Sequence, residues 1–563
     1  MTGGTARVRF AIAFGVCLAA TGALFWVGTP SPMLLAWAAF SAAILVLQPR
    51  FAPALLAVNA GFVAWIGHLF APMYLGRNFD TWMHLTIVRR VVENGPFPPD
   101  PFYAGHSAAP LVSVIHHVYA AAAWLTELPI GQLWFWGIPL VAALTAAAAY
   151  FFHRELLGDS TAAFFAAMFY LVSRYFEWPT ANYPRVVAPT FLLLSLALML
   201  RGLRLDSRRL FVMAGLALGL AIAAHPIAGL MSAMVVGGVL LGEWLLEWRS
   251  GRGRSFTPLL LAVAGGAAIA AGPWIVCDFV ALLNKGETAP LLQNAEGVAE
   301  DLAFFLKRDM QRILRAGAHT GDQGIRWVVL WGLPVLAGIA RLFTVSCARR
   351  IRVYVTAAVA VVLVVMWSPL TPFFLEWFTP RYAARFIYAL PIPALAGFGL
   401  AWMSRYRIGS GPRLAAAAVF SLYAALLLRS MDPRTAPELA PLSEKLTRPE
   451  LEKIEPLIRD RVVLAARSIA YELPYFTGAF VTWSPQGHSN PWAWDRERIH
   501  GSLRILKGKS TPNTIRAFCD LNDVEFALLP IDAEEAIAPL KATGEFEQRA
   551  EIPGYVLLER QVR

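Results

Sequence analysis

Asp80 and His84 stand four residues apart in the run Asn78-Phe79-Asp80-Thr81-Trp82-Met83-His84-Leu85. On a helix that spacing puts both side chains on one face. A carboxylate held there can act as a general base, or it can hold a divalent cation such as Mg or Mn with help from an imidazole. Asp100 follows the Pro98-Pro99 break and can fold back toward the pair. The same residues also suit a structural role, because Asp is a favoured helix N-cap and His and Trp suit a lipid interface. Spacing alone leaves both readings open.

The chain that must position these residues is strongly apolar. Of its 563 residues 57% are hydrophobic and only 15% are charged, and the mean hydropathy is +0.52. Soluble proteins carry roughly 25% charged residues, so lipid is the solvent for most of this chain. Residues 10–28, 186–200, 257–277 and 353–368 contain no Asp, Glu, Lys or Arg. Several such runs approach or exceed the roughly 18 to 20 residues that cross a bilayer as helix. Reading the apolar runs between charged or Pro/Gly-rich breaks predicts about thirteen spans. They fall at 8–28, 31–48, 51–71, 130–152, 160–175, 186–200, 210–225, 228–247, 257–280, 326–343, 351–369, 386–403 and 414–428.

Loop charge orients these spans. With Arg7 and Arg9 in the cytoplasm, each even-numbered span ends at a basic loop, as the positive-inside rule requires. Those loops carry Arg50, Arg154, then Arg201, Arg204, Arg208 and Arg209, then Arg249, Arg252 and Arg254, then Arg349, Arg350 and Arg352, and finally Arg405, Arg407 and Arg413. The alternation places the N-terminus in the cytoplasm and everything after about residue 429 outside it, in a plasma (inner) membrane protein. The net charge of +11 is thereby explained by orientation and anionic headgroups, and its dispersion among spans argues against a nucleic-acid partner. Cys17, Cys277, Cys347 and Cys519 are far apart with no CxxC spacing, so neither a disulfide framework nor a zinc site is indicated.

Three non-cytoplasmic segments are too long to be mere connections, at about 72–129, 281–325 and 429–563. The last contains strand-length apolar runs at Val462–Ala465, Phe526–Leu529 and Tyr555–Leu558, with helical patterns at 510–520 and 533–543. The expected fold is therefore mainly α: a polytopic helical membrane domain over 1–428, with a catalytic loop at 72–129, followed by a small soluble α/β domain over 429–563. Neither GxGxxG nor GxxxxGK[ST] occurs in that tail.

The Asn78–Leu85 run, followed by Asn94-Gly95-Pro96-Phe97-Pro98 and Asp100, resembles the first periplasmic loop of C-type (GT-C) polytopic membrane glycosyltransferases. Its nearest echo is in oligosaccharyltransferase catalytic subunits and protein mannosyltransferase-like enzymes. The likeness continues through Ala109-Pro110-Leu111, Arg154-Glu155-Leu156-Leu157-Gly158 and the run Ala214–Ala221, and covers most of the membrane part. It implies a polyprenyl-phosphate-linked sugar donor and a glycan, lipid or protein acceptor. It also implies that Asp80 is the catalytic acid/base or metal-holding residue, with Asp100 as a second candidate ligand and Glu177 as the acid of the next external loop. By the same resemblance Arg381 and Arg385, again four apart, grip the lipid phosphate. Guanidinium forks suit phosphate oxygens, and these two run against the positive-inside trend. Snorkelling, or pairing with Glu376, is the less favoured alternative.

One departure matters. There is no Trp-Trp-Asp-Tyr-Gly motif, by which oligosaccharyltransferases recognise their acceptor, and Trp492-Ala493-Trp494-Asp495 is a faint echo. The acceptor class is left open. A flippase for a lipid-linked glycan and a non-catalytic assembly partner are the rival readings, although no internal repeat of the transporter kind is visible. The remaining polar residues read as structural: His116-His117 as packing or headgroup contact on an interfacial helix, and His225-Pro226 as a helix terminus. Asp278 is one further acid outside, and Glu287, Glu296, Glu300 and Asp301 line a solvated segment.

Overall fold

The computed structural model describes residues 53–54, 56–58, 60–61, 79–96, 98–104, 112–172, 183–251, 256–283, 302–307, 324–344, 349–372, 374, 383–407, 448–483 and 496–561. The chain is mainly helical and divides into two compact units. The first comprises 1–71, 136–273 and 291–439, and the second 72–135, 274–290 and 440–563.

The apolar runs become long helices because lipid offers no partner for a backbone N–H or C=O, and a helix satisfies both internally. After α1 (Phe79–Asn94) and α2 (Val114–Thr126) come α3 (Ile130–Leu157), α4 (Ser160–Val172), α5 (Pro184–Leu205), α6 (Arg208–Ala224) and α7 (Pro226–Arg249). They are followed by α8 (Thr257–Leu283), α9 (Gly324–Thr344), α10 (Arg349–Trp367) and α11 (Ile392–Arg407). Among the described residues, six helical segments are long and apolar enough to cross a membrane. Helices stand at nine of the spans expected from sequence. The expected spans 8–28, 31–48 and 414–428 lie outside the described residues, and 51–71 is described only in part.

Local chemistry sets the helix ends. Asp159 Oδ1 accepts from Thr161 N–H at 2.8 Å and starts α4, while Pro184 and Pro226 occupy first helical positions where a missing N–H costs nothing. The run expected as one span at 386–403 is divided into a 3-10 turn, Ala384–Ala389, and α11. Pro391 and Pro393 lack the N–H groups that would continue the ladder across the junction.

Within the first unit the helices approach closely through small residues, as expected where burial from water contributes nothing to helix association. In α6, Gly215 and Gly219 abut backbone atoms of Val263 and Ala267, where a Cβ would collide. Ser195 Oγ of α5 donates to Ala214 O of α6 at 2.8 Å, and Arg349 of α10 pairs with buried Glu243 of α7 at 2.8 Å.

The second unit holds a five-stranded mixed sheet in the order β2-β1-β3-β5-β4. Its strands are β1 (Val462–Ala465), β2 (Phe480–Val481), β3 (Val524–Pro530), β4 (Phe546–Ile552) and β5 (Tyr555–Arg560). β1 runs parallel to both β2 and β3, and β5 runs antiparallel to β3 and β4. The helices α12 (Glu472–Thr477), α13 (Arg496–Leu506), α14 (Pro512–Leu521) and α15 (Glu534–Ala542) accompany it. Leu464, Ile505, Ile515, Leu529, Leu540 and Leu558 belong to one buried core. The edge at β2 is covered, since Val481 N–H donates to Phe102 O at 2.8 Å; an uncovered edge invites pairing with other chains.

Candidate active site

At 100° per residue, α1 has two working faces. Trp82, Arg89, Arg90 and Glu93 lie on one, and positions 80 and 84 lie on the other. The first face is bound to the C-terminal part of the second unit. Trp82 is buried against the rings of Tyr475 and Phe476, with centroids 5.4 and 5.1 Å away. Arg89 donates to Tyr475 O at 2.6 Å and pairs with Glu455 at 2.7 Å. Arg90, only 3% exposed, donates to Gly478 O at 2.6 Å and to Asp460 at 3.1 Å, and lies over the Phe480 ring. These contacts fix the roll of the helix, and with it where the 80/84 face points.

On that second face, Asp80 belongs to the helix while its side chain lies outside the described residues. His84 Nδ1 meets His116 Nε2 of α2 at 2.9 Å. The His84 ring lies edge to edge with that of His116, centroids 5.1 Å apart, and nearly parallel to that of Trp134, 5.8 Å away. His116 is fully buried, and its Nδ1 accepts from Ser113 N–H at 2.9 Å. Burial, reinforced by the positive charge of His117, pushes the His116 imidazole down to about 3. The buried position of His116 fits its sequence reading as packing, and the structure adds that it is a hydrogen-bond partner of His84. Histidines 32 residues apart in a chain give no periodic signal, which is why the pairing was not legible. His117 Nε2 lies 2.9 Å from Pro96 O and ties α2 to the turn after α1.

Asp100 is buried, and its Oδ1 accepts from Phe102 N–H at 2.8 Å and Tyr103 N–H at 2.9 Å. The carboxylate therefore organises the turn whose Phe102 carbonyl covers the sheet edge. Among the described residues no three His, Cys, Asp or Glu side chains come together as cation ligands.

The first unit gathers cations at one place. Arg385, half-buried in the Ala384–Ala389 turn, and Arg185 at the start of α5 both lie close enough for their charges to act on the His225 ring. The turn carrying Arg385 packs on α10 and α7. His225 caps α7 by accepting from Ala228 N–H at Nδ1, 3.3 Å away. The expected pair Arg381/Arg385 is seen only in its second member, since Arg381 and Glu177 lie outside the described residues. Arg185 was overlooked in sequence, although it carries the same signal as Arg385: a guanidinium at the helix end opposite the basic loops.

Residues 131–275 match the family model described as dolichyl-phosphate-mannose-protein mannosyltransferase. A sequence search among curated proteins gives no match. Among solved structures, the chain is similar to ArnT from Cupriavidus metallidurans bound to undecaprenyl phosphate. That likeness has a TM-score of 0.50 at 14% identity and covers 90% of this chain and 97% of that one. It is also similar to the Archaeoglobus fulgidus oligosaccharyltransferase in complex with Zn and sulfate. There the TM-score is 0.51 at 12% identity, with 90% of this chain and 73% of that one covered. The apo form of the same oligosaccharyltransferase gives a TM-score of 0.50 at 12% identity over 86% of this chain and 70% of that one. In fold, the chain is similar to these C-type (GT-C) polytopic membrane glycosyltransferases.

Proposed function

We propose that the protein transfers a sugar from a polyprenyl-phosphate-linked donor to an acceptor on the extracytoplasmic side of the membrane. The observation that carries this reading is that Arg385 and Arg185 both lie within electrostatic range of His225, at the membrane face that loop charge assigns outside the cytoplasm. Cations there run against the positive-inside trend, and a lipid phosphate is the ligand their forks suit. That ArnT binds undecaprenyl phosphate supports the same donor class. Arg381, four residues before Arg385, belongs to this phosphate grip, and Glu177 serves as a second acid. The rest of the expected architecture goes with this reading: about thirteen spans, a cytoplasmic N-terminus, and a soluble α/β domain over 429–563 outside the cytoplasm.

In the proposed reaction an acceptor hydroxyl attacks the anomeric carbon, and its proton passes to Asp80. The bond from that carbon to the phosphate oxygen breaks, and polyprenyl phosphate leaves with charge that the arginines stabilise. A general base contributes roughly 10² to 10⁴-fold. Asp80→Asn is therefore expected to cut turnover by that order while the protein still accumulates in the membrane. Transfer at near-normal rates by that variant would remove Asp80 from the mechanism.

A further inference from the structure

A cavity lies among the helices of the first unit, with about 550 Å³ of empty space counted to its open mouth. Of the elements that wall it, α3, α5, α7 and α10 are long and apolar enough to cross a membrane, so a ligand reaches it from the bilayer. Leu196, Met231 and Val235 make its wall apolar, and among the described residues no Lys, Arg, Asp or Glu lines it. One end is polar. There the rings of His153 and Tyr354 both pack on Phe152, with centroids 4.8 and 5.1 Å away. His153 is only 2% exposed, and its Nδ1 lies 2.7 Å from Ala149 O, one turn back along α3. A carbonyl can only accept, so Nδ1 carries a hydrogen and donates it. A second proton would leave an unpaired charge in an apolar cavity. The ring is therefore neutral, and Nε2 at its opposite edge is a bare acceptor. Among the described residues neither His153 Nε2 nor the Tyr354 hydroxyl has a hydrogen-bond partner. Tyr170 and Tyr388 also line the cavity, and each has further contacts.

We propose that this cavity binds an uncharged lipid alcohol, whose O–H donates to His153 Nε2, whose oxygen accepts from the Tyr354 hydroxyl, and whose hydrocarbon body lies against Leu196, Met231 and Val235. A hydroxyl is donor and acceptor at once, which is what one bare acceptor beside one free donor requires. A phosphate headgroup would meet no cation here. A plain hydrocarbon chain would leave both polar groups without partners, a loss that buried groups rarely carry. Water could bond the polar end, but a buried water needs two to four polar partners, and the apolar wall offers it none. The site stands apart from the arginines near His225 in its chemistry, and it does not depend on sugar transfer.

The test uses full-length protein in lipid nanodiscs and hexadecanol carrying a mid-chain diazirine, with the cross-linked peptides located by mass spectrometry. Labelling is expected on the peptides that contain Leu196, Met231 and Val235, competed by unlabelled hexadecanol and not by polyprenyl phosphate. The methyl ether of the same probe lacks the O–H and is expected to label about tenfold less. Tyr354→Phe keeps the ring that packs on Phe152 and removes only the hydroxyl, so alcohol labelling should fall about three- to tenfold. Alcohol and ether are compared on the wild type, so a variant that folds poorly does not decide the outcome. Equal labelling by alcohol and ether, displacement by polyprenyl phosphate, or no labelling of these peptides would overturn the proposal. Sugar transfer is not read in this experiment, so its failure leaves the functional reading standing, and an enzyme without transferase activity leaves the lipid site standing.

Discussion

Arg185 and Arg385 lie within electrostatic range of the same histidine although they stand 200 residues apart in the chain, one at the start of a helix and one in a 3-10 turn. Neither could be linked to the other by spacing. Each was nonetheless visible as a cation at the wrong end of its span. Charge-assisted hydrogen bonds contribute about 1.5 to 3 kcal/mol. Arg385→Ala and Arg185→Ala are each expected to weaken binding of a polyprenyl phosphate roughly ten- to hundredfold, with little change in folded yield. Titration of a fluorescent polyprenyl phosphate into purified protein checks this, and unchanged affinity in both variants would dissociate the cluster from the donor. His116 gives a second prediction at this scale. Its folded value, pushed to about 3 by burial and then by His117, lies below the ordinary 6.5. The unfolded chain therefore binds the proton first as pH falls, and stability contributed above about 6.5 is lost on the way toward 3. Thermal midpoints should fall more steeply between pH 6.5 and 4.5 in the wild type than in His116→Gln, and parallel curves would contradict the burial argument.

Among the elements, α1 carries the most consequence because its two faces do different work. The Trp82, Arg89 and Arg90 side is anchored to the C-terminal part of the chain, and the 80/84 side faces the reverse direction by helical phase. Replacing Arg90 with Met leaves the Gly478 carbonyl, which Arg90 otherwise satisfies, without that donor. The partner Asp460 is largely exposed, 64%, so its lost ion pair adds little. A loss of about 1 to 3 kcal/mol is expected from the carbonyl and the stripped packing. Thermal unfolding of the full-length variant should register it, and an unshifted midpoint would show that the anchor is dispensable. The Arg89 and Arg90 latch was not foreseeable, because its partners lie more than 360 residues away. The strands were easier where they were apolar: 462–465 and 555–558 fall within observed strands. β4 escaped notice because Phe546–Ile552 is largely exposed between its buried ends, so it shows neither an apolar run nor a clean alternation.

For the molecule as a whole, hydropathy was the most legible quantity, since exclusion from water acts residue by residue and needs no knowledge of partners. It placed helices at α3 through α10 to within a few residues at most ends, but it could not see the break at Leu390, which depends on two prolines. The site was legible in types and missing in connections. Asp80, His84 and Arg385 were named from spacing and resemblance, whereas His116, Arg185 and the turn-forming role of Asp100 are products of tertiary packing. Transfer of sugar from a lipid-phosphate donor is measured by supplying donors to purified protein in liposomes. Polyprenyl-phosphate and polyprenyl-diphosphate sugars are offered with a panel of glycan, lipid and protein acceptors. Sugar release or transfer from the monophosphate donor is expected, and it is lost in Asp80→Asn. Vectorial movement of the lipid without transfer, or silence toward every donor, would contradict it.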